Sequence, residues 1–500
     1  MTIGRPATAA PATAGTSVVP ATAGTSVVPD AAGTSVVPAT ARGTPLAWVF
    51  GFVAVASIEV ACSWRLASGG PLRAGHWSLP IVAAGWTAAF AVAAALAFRL
   101  PPRAAPALIV AAGIALRVAA LAGPPTTSDD LYRYSWDGRV QAAGVDPYAS
   151  PPDAPQLAAL REPWLWPDAA TCHAMGKGAP CTRINRPSDR TIYPPAAEAW
   201  FALVYKFAGV GARYKTWQVA GLLAEVGTLG LLVVALRRWH RDPRWVALYA
   251  LCPAPVIEFV NNGHVDALAV VLIVAALVVA APRAGAAAER WRSWRFLAAA
   301  GLLSIAFLVK VYPGVLLLPL AAHQAAPRLR AVVRAGTVLV VVAALAYLPH
   351  VVRVGAKVLG YLPGYLSEEH YHSGGRFLIA NVLQVPDAWA GAASAVGFIA
   401  VAAWILVRRP ALPAASAALL AALLLAASPA QSWYAVALVA VAALAARPAY
   451  LVVAAAAYAA SWSVVLDQRA APAIGGWAFT AALAFLVVAS ISRRGAEYSA

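Results

Sequence analysis

Stretches of about twenty consecutive apolar residues recur along almost the whole chain, for example Leu46–Ala67, Leu79–Leu100 and Ala331–Pro349. A helix rising about 1.5 Å per residue needs roughly 17–25 such residues to cross a hydrocarbon layer about 30 Å thick. Inside that layer every backbone amide must find its partner within the protein, and a continuous apolar run meets that demand as a helix. Composition agrees: of 500 residues, 61% are hydrophobic and 12% charged, against roughly 45–50% and about 25% in a soluble domain. The expected fold is all-α, a polytopic transmembrane helical protein of about 14 spans. Thirty-eight prolines and thirty-six glycines lie among the runs, so some helices should break at membrane depth, where they line a cavity.

The formal net charge of +17 suggests a nucleic-acid partner only until its distribution is read. Lys and Arg sit in short clusters between apolar runs, which is the positive-inside pattern, and nucleic acid is excluded as a partner. The first apolar run is long enough to span, so it is expected to be an anchor and not a cleaved signal.

Residues 11–37 repeat the nine-residue unit P-A-T-A-G-T-S-V-V, twice perfectly and once as P-D-A-A-G-T-S-V-V. Such a sequence buries no core, and residues 1–45 are expected to be a disordered low-complexity tail. Residues 46–122 then hold the first three spans, 123–195 a long extracytoplasmic loop, and 196–492 the remaining membrane domain. Within the last, alternation of the basic clusters requires one crossing between Ala196 and Leu236. Residues 196–212 are therefore expected to be interfacial or re-entrant, with Lys215–Leu236 spanning. An external loop is expected at 350–376 and a cytoplasmic tail at 493–500. Cys62 and Cys252 fall in apolar runs, whereas Cys172 and Cys181 sit nine apart in a polar stretch of the first loop, a spacing that suits a disulfide in an oxidising compartment.

The same alternation puts several polar motifs on the external face: the 123–195 loop, N-N-G-H-V-D at 261–266, K-V-Y-P at 310–313 and S-P-A-Q-S-W-Y at 428–434. The stretch Tyr361–Arg376, with Glu368, Glu369, His370 and His372, falls there too. The loop segment T-S-D-D-L-Y-R-Y-S-W-D-G-R is the richest in chemistry. Over a helix Leu131–Ala143, Asp130, Arg133 and Asp137 share one face. Asp129 or Asp130 can serve as a helix cap and Asp137 as a partner of Arg133, or one carboxylate can take a proton from an acceptor hydroxyl. Asn261, Asn262, His264 and Asp266 either satisfy the freed backbone of a broken helix or bind a sugar or phosphate, and Glu258 one turn earlier, costlier to bury, adds weight to the second. Lys310, followed by Tyr312, either snorkels to the interface or neutralises a departing phosphate. Arg117 in the third span is a second candidate for that charge or a partner of Glu59, and Gln431, Trp433 and Tyr434 are an aromatic belt or a sugar platform. The His370 and His372 stretch can be read as a metal site or as a solvated charge run.

The run S-D-D-L-Y-R-Y-S-W-D-G-R-V-Q-A-A-G-V-D-P-Y, followed by I-N-R-P-S-D-R-T-I-Y-P-P at 184–195, resembles the first external loop of bacterial GT-C glycosyltransferases. The likeness is greatest to polyprenol-phosphate-mannose-dependent mannosyltransferases; N-G-H-V-D, K-V-Y-P-G and the late W-Y resemble later motifs, and residues 46–490 are covered. The resemblance implies an inverting hexosyl transfer, of mannose, from a polyprenyl-phosphate donor to an envelope glycan or lipoglycan. It implies a first-loop aspartate as base, Asp130 with Asp129 as partner or replacement. Arg133, Asp137, His264, Asp266, Lys310, Tyr312, Trp433 and Tyr434 would then bind donor phosphate or sugar. The expected setting is the plasma membrane, among membrane lipid, with the site extracytoplasmic; no cofactor is required, and a divalent metal stays open. A multi-pass transporter or flippase of a lipid-linked or sugar substrate is the alternative.

Overall fold

The computed structural model describes residues 45–72, 76–211, 213–282 and 288–498, so the repeat tail lies outside the described residues except for Pro45. The side chains of 288–292 and of the basic pair at 493 and 494 also lie outside them. The described chain is all-helical, with no strand among those residues.

Helices of ten residues or more are numbered here in chain order. α1 (Pro45–Ala67), α2 (Ser78–Ala97) and α3 (Ala105–Ala119) precede the long loop, which holds α4 (Asp130–Ala142). α5 (Pro195–Ala208), α6 (Tyr214–Arg238), α7 (Asp266–Ala280), α8 (Ala288–Phe307) and α9 (Arg328–Val354) follow. The series ends with α10 (Asp387–Arg408), α11 (Leu412–Ala427), α12 (Val436–Ala445), α13 (Leu451–Val465) and α14 (Ala471–Tyr498). α1 packs against α2 and α3, α7 against α6 and α8, and α13 against α14. Every residue of α12 is buried, which places it in the interior, whereas α1, α9 and α10 keep Phe50, Leu345 and Ile399 exposed. Large apolar side chains on the outside are what a lipid-facing surface requires.

Among the described residues, eight helices are long and apolar enough to cross a membrane, and five shorter apolar helices accompany them. The chain is thus the polytopic helical membrane protein expected, and some of its apolar runs are not continuous helices. Runs that read as single spans are broken at polar residues: α8 stops at Phe307 before Lys310, and a short turn at Tyr312–Leu316 resumes the path. α9 carries Pro349 within it and continues to Val354, and α14 runs to Tyr498.

Close helix contacts rest on small residues. Gly221 of α6 faces the carbonyl of Phe259 so tightly that a Cβ there would lie 1.9 Å from its oxygen. Such an approach is open only to glycine. Arg117 of α3 does not meet Glu59. It is fully buried and bonds Glu225 of α6 through Nε and Nη2, at 2.9 and 2.7 Å, because α3 turns that side chain toward α6 and away from α1.

Candidate active site

The loop is attached to the membrane domain by the asparagine pair that follows a single π-helical turn at Val256–Asn261. Asn261 Oδ1 accepts from the Thr126 backbone at 3.0 Å and its hydroxyl at 2.6 Å, and Asn262 Oδ1 accepts from the Thr127 backbone at 3.1 Å. Both asparagines therefore satisfy loop backbone. Gly263 adopts φ +66°, a left-handed turn that glycine takes without strain, and this reverses the chain so that His264 faces inward.

α4 begins directly after this attachment. Asp129 occupies the N-cap position but makes no side-chain cap; the hydroxyl of Ser128 accepts the Asp130 backbone N–H instead, at 3.2 Å. Both carboxylates are thus left for other work. Asn185 donates to Asp130 Oδ1 at 2.7 Å and to Asp129 Oδ1 at 2.9 Å, and the Tyr193 hydroxyl donates to Asp130 Oδ2 at 3.1 Å. Asp129 keeps solvent access, yet the protein crowded around it and then the neighbouring Asp130 charge push its carboxyl above the ordinary range.

α4 lies on α5, with Tyr134 stacked on Phe201 at 4.4 Å between centroids and Trp217 edge-on at 5.9 Å. Beneath that aromatic layer Arg133 Nε donates to both Asp137 oxygens at 3.0 Å and Nη1 donates to the Asp189 carbonyl at 3.0 Å. Buried Glu198 accepts from Thr191 at 2.6 Å and from Gln141 at 2.9 Å. Burial, then the charge of Asp137, pushes Glu198 well above the carboxylate range. Burial also raises Asp137, with Arg133 opposing it.

Lys310 Nζ lies 3.7 Å from Asp266 and sits over the rings of Tyr193 and Tyr434, at 4.9 and 5.3 Å. His264 is buried with its ring stacked on Trp433, 4.0 Å between centroids. The motifs expected on one face, separated by up to three hundred residues, therefore do meet.

They border a cavity of about 830 Å³. Of the residues expected to bind or react, Asp130, Arg133, Lys310, Tyr312, Trp433 and Tyr434 line it, whereas Asp129, Asp137, His264 and Asp266 stand outside its lining. Asp137 is occupied by Arg133, and His264 and Asp266 are covered by Trp433 and Lys310. The cavity also takes in Asn185, Arg186, Arg190 and Tyr193, for which no role was expected. Their only signal in the sequence was their place in I-N-R-P-S-D-R-T-I-Y-P-P. The lining is also rich in aliphatic side chains, among them Val315, Val351, Leu359, Leu362, Leu423 and Leu424.

Residues 361–376 cover one side. Arg186 pairs with Glu368 at 2.5 Å, and its guanidinium lies 5.6 Å from the centre of the Tyr361 ring. Gln431 donates to Glu369 at 2.8 Å and accepts from the Tyr365 hydroxyl at 3.0 Å. Glu368 and Glu369 are engaged in these pairs, and among the described residues no three His, Cys, Asp or Glu side chains gather in a way that could hold a metal. Farther along the loop Cys172 and Cys181 are joined as a disulfide, Cα atoms 5.8 Å apart.

Residues 191–429 match the model of glycosyltransferase family 87, a family of membrane glycosyltransferases of GT-C type. The match spans Tyr193, Glu198, His264, Asp266 and Lys310 and begins after the aspartate pair. No curated protein and no solved structure matches the chain.

Proposed function

We propose that this membrane glycosyltransferase of GT-C type moves a hexose, mannose by the likeness of its loop motifs, from a polyprenyl-phosphate donor to an envelope glycan or lipoglycan. The observation that carries the reading is one cavity with two chemistries. Asp130, Arg133, Arg186 and Lys310 line it together with many aliphatic side chains. Val311, Val351, Leu359 and Leu362 belong to that lining and are also exposed, so the apolar lining reaches the outer surface. A donor with an anionic head on a hydrocarbon tail suits that combination.

In the proposed reaction Asp130 takes the proton of the acceptor hydroxyl as the oxygen attacks the anomeric carbon, and the sugar–phosphate bond breaks with inversion. Lys310 and Arg133 stabilise the charge gathering on the departing lipid phosphate. Tyr193 joins these groups, donating to Asp130 while its ring lies against Lys310. Trp433 and Tyr434 supply faces for the sugar. Asp129, beside Asp130 on the same Asn185 clip, is the partner or replacement base.

The site is assigned to the extracytoplasmic face of the plasma membrane, on the positive-inside argument; cysteine labelling that finds residue 241 outside refutes this orientation. A transporter or flippase is not favoured, because the match over residues 191–429 is to a transferase family. The test offers purified protein radiolabelled polyprenyl-phosphate mannose, glucose and arabinose with extracted envelope glycan. Label should move from one donor and should cease in Asp130→Asn at unchanged folded yield. Near-normal turnover in both Asp129→Asn and Asp130→Asn removes the assignment.

A further inference from the structure

His264 does not line the cavity, yet its contacts tie it to the group at the centre of the proposed reaction. Its Nδ1 lies 3.6 Å from Asp130 Oδ2 and 3.5 Å from the Tyr134 hydroxyl. Its Nε2 lies 3.5 Å from Glu258 Oε2, and its side chain is fully buried. Glu258 is itself fixed, accepting from Ser432 at 2.8 Å and from Asn262 at 2.9 Å. Stacking on Trp433 leaves the ring little freedom to turn.

Both ring nitrogens thus face a carboxyl oxygen. A neutral imidazole donates from one nitrogen only, so pairing on both sides needs one further proton, held on the ring or on Glu258. The separations are longer than hydrogen bonds, as catalytic contacts often are before substrate closes the site.

We propose that His264 is a positioning residue for the transfer, resting on the assignment of Asp130 as base. With Glu258 behind it, His264 directs the Asp130 carboxylate at the acceptor and stabilises it as its proton load changes. The acceptor O–H proton passes to Asp130, the oxygen pair forms the bond to the anomeric carbon, and the electrons of the broken C–O bond leave with the lipid phosphate. The groups whose charge faces this ring are Asp130 and Tyr134 on α4, Glu258, Asp266 on α7, Lys310, and Tyr193 through its bond to Asp130.

The experiment measures kcat and KM across pH for wild type, His264→Ala, His264→Asn, Glu258→Gln and the His264→Ala/Glu258→Gln double variant, using whichever labelled polyprenyl-phosphate sugar wild type transfers. His264→Ala should lower kcat about 100-fold with donor KM little changed and should move the acidic limb of the profile. Asn, which offers an amide N–H, should recover about tenfold, Glu258→Gln should move the limb in the same direction, and the double variant should be no slower than His264→Ala. Multiplying losses, or a loss confined to KM with an unmoved limb, overturn the proposal. If His264→Ala does not fold, His264→Asn and Glu258→Gln carry the test. Asp130→Asn in the same assay separates the two readings: an active Asp130→Asn, or no transfer from any donor, sinks the base assignment, whereas an inactive Asp130→Asn beside wild-type profiles at 264 and 258 sinks only this inference.

Discussion

Replacing Arg117 by Met tests how the membrane domain is held together. The wild-type guanidinium donates twice to Glu225 and, through Nη1, to the carbonyls of Gly113 at 2.9 Å and Ala250 at 2.8 Å. It thereby joins α3, α6 and the segment before Cys252 at a point where both partners are wholly shielded. After the substitution Glu225 keeps one donor, the Tyr249 hydroxyl at 2.6 Å, in a site with no exposure. A buried ion left without its partner costs about 3–5 kcal/mol, whereas replacing both ions by apolar groups of similar volume is often neutral or better. The expected result in a double-mutant cycle, read by thermal unfolding in detergent, is therefore a loss of about 3–5 kcal/mol for Arg117→Met. Arg117→Met/Glu225→Met should return to within about 1 kcal/mol of wild type. Equal losses in the single and double variants refute the reasoning, because the carbonyl bonds of Arg117 would then carry the stability and its pairing would not.

Other outcomes follow from the same geometry. Lys310→Met should reduce kcat by about 100-fold or more in the transfer assay, and Lys310→Arg should restore part of it, since the charge is held over Tyr193 and Tyr434. Tyr193→Phe should lower kcat about tenfold through loss of the bond to Asp130, without change in folded yield. Glu198 is raised by burial, so the folded chain holds a proton that the unfolded chain releases above the ordinary Glu range. Stability should then fall as pH rises from that range through the higher folded value, and Glu198→Gln, permanently neutral, should flatten the dependence seen by thermal unfolding. Reducing the Cys172–Cys181 bridge removes a constraint on a short loop worth about 3 kcal/mol, a loss that limited proteolysis of residues 160–185 should detect while leaving membrane-domain unfolding unmoved.

The membrane class and α4 were legible because their signals are local: apolar runs of spanning length, and a charge pattern with helical spacing that predicts 131–143 where α4 occupies 130–142. Convergence of 130, 264, 310 and 433 was also legible, through alternation of basic clusters, since orientation in a bilayer restricts which loops can meet. Partners set by helix rotation were not. Arg117 lies near both Glu59 and Glu225 in any span count, and only the packing of α3 decides between them. Nor could spacing reveal Asn185 and Tyr193, which reach Asp130 from an irregular segment with no periodicity to read.

The two sides of the cavity are held with unequal strength, and this bears on how substrates reach it. Asp130 stands on a helix fixed by a stacked aromatic layer and by the buried Arg133, Asp137, Glu198 and Thr191 network, none of which can shift without exposing unpaired groups. A base must be placed to within a fraction of an ångström, so rigidity on this side serves the chemistry. The covering residues 361–376 meet the loop through Arg186 and Glu368, an ion pair more than a third exposed on each partner. Such a pair contributes at most about 1 kcal/mol. Breaking this pair exposes Arg186, a cation already lining the cavity, to any anion that displaces Glu368. The weak contact lies in the same segment as Leu362, an exposed residue of the cavity lining, with Leu359 just before it. On the proposed reading, a lipid phosphate enters by exchanging one carboxylate for its own charge while Asp130 stays where it is.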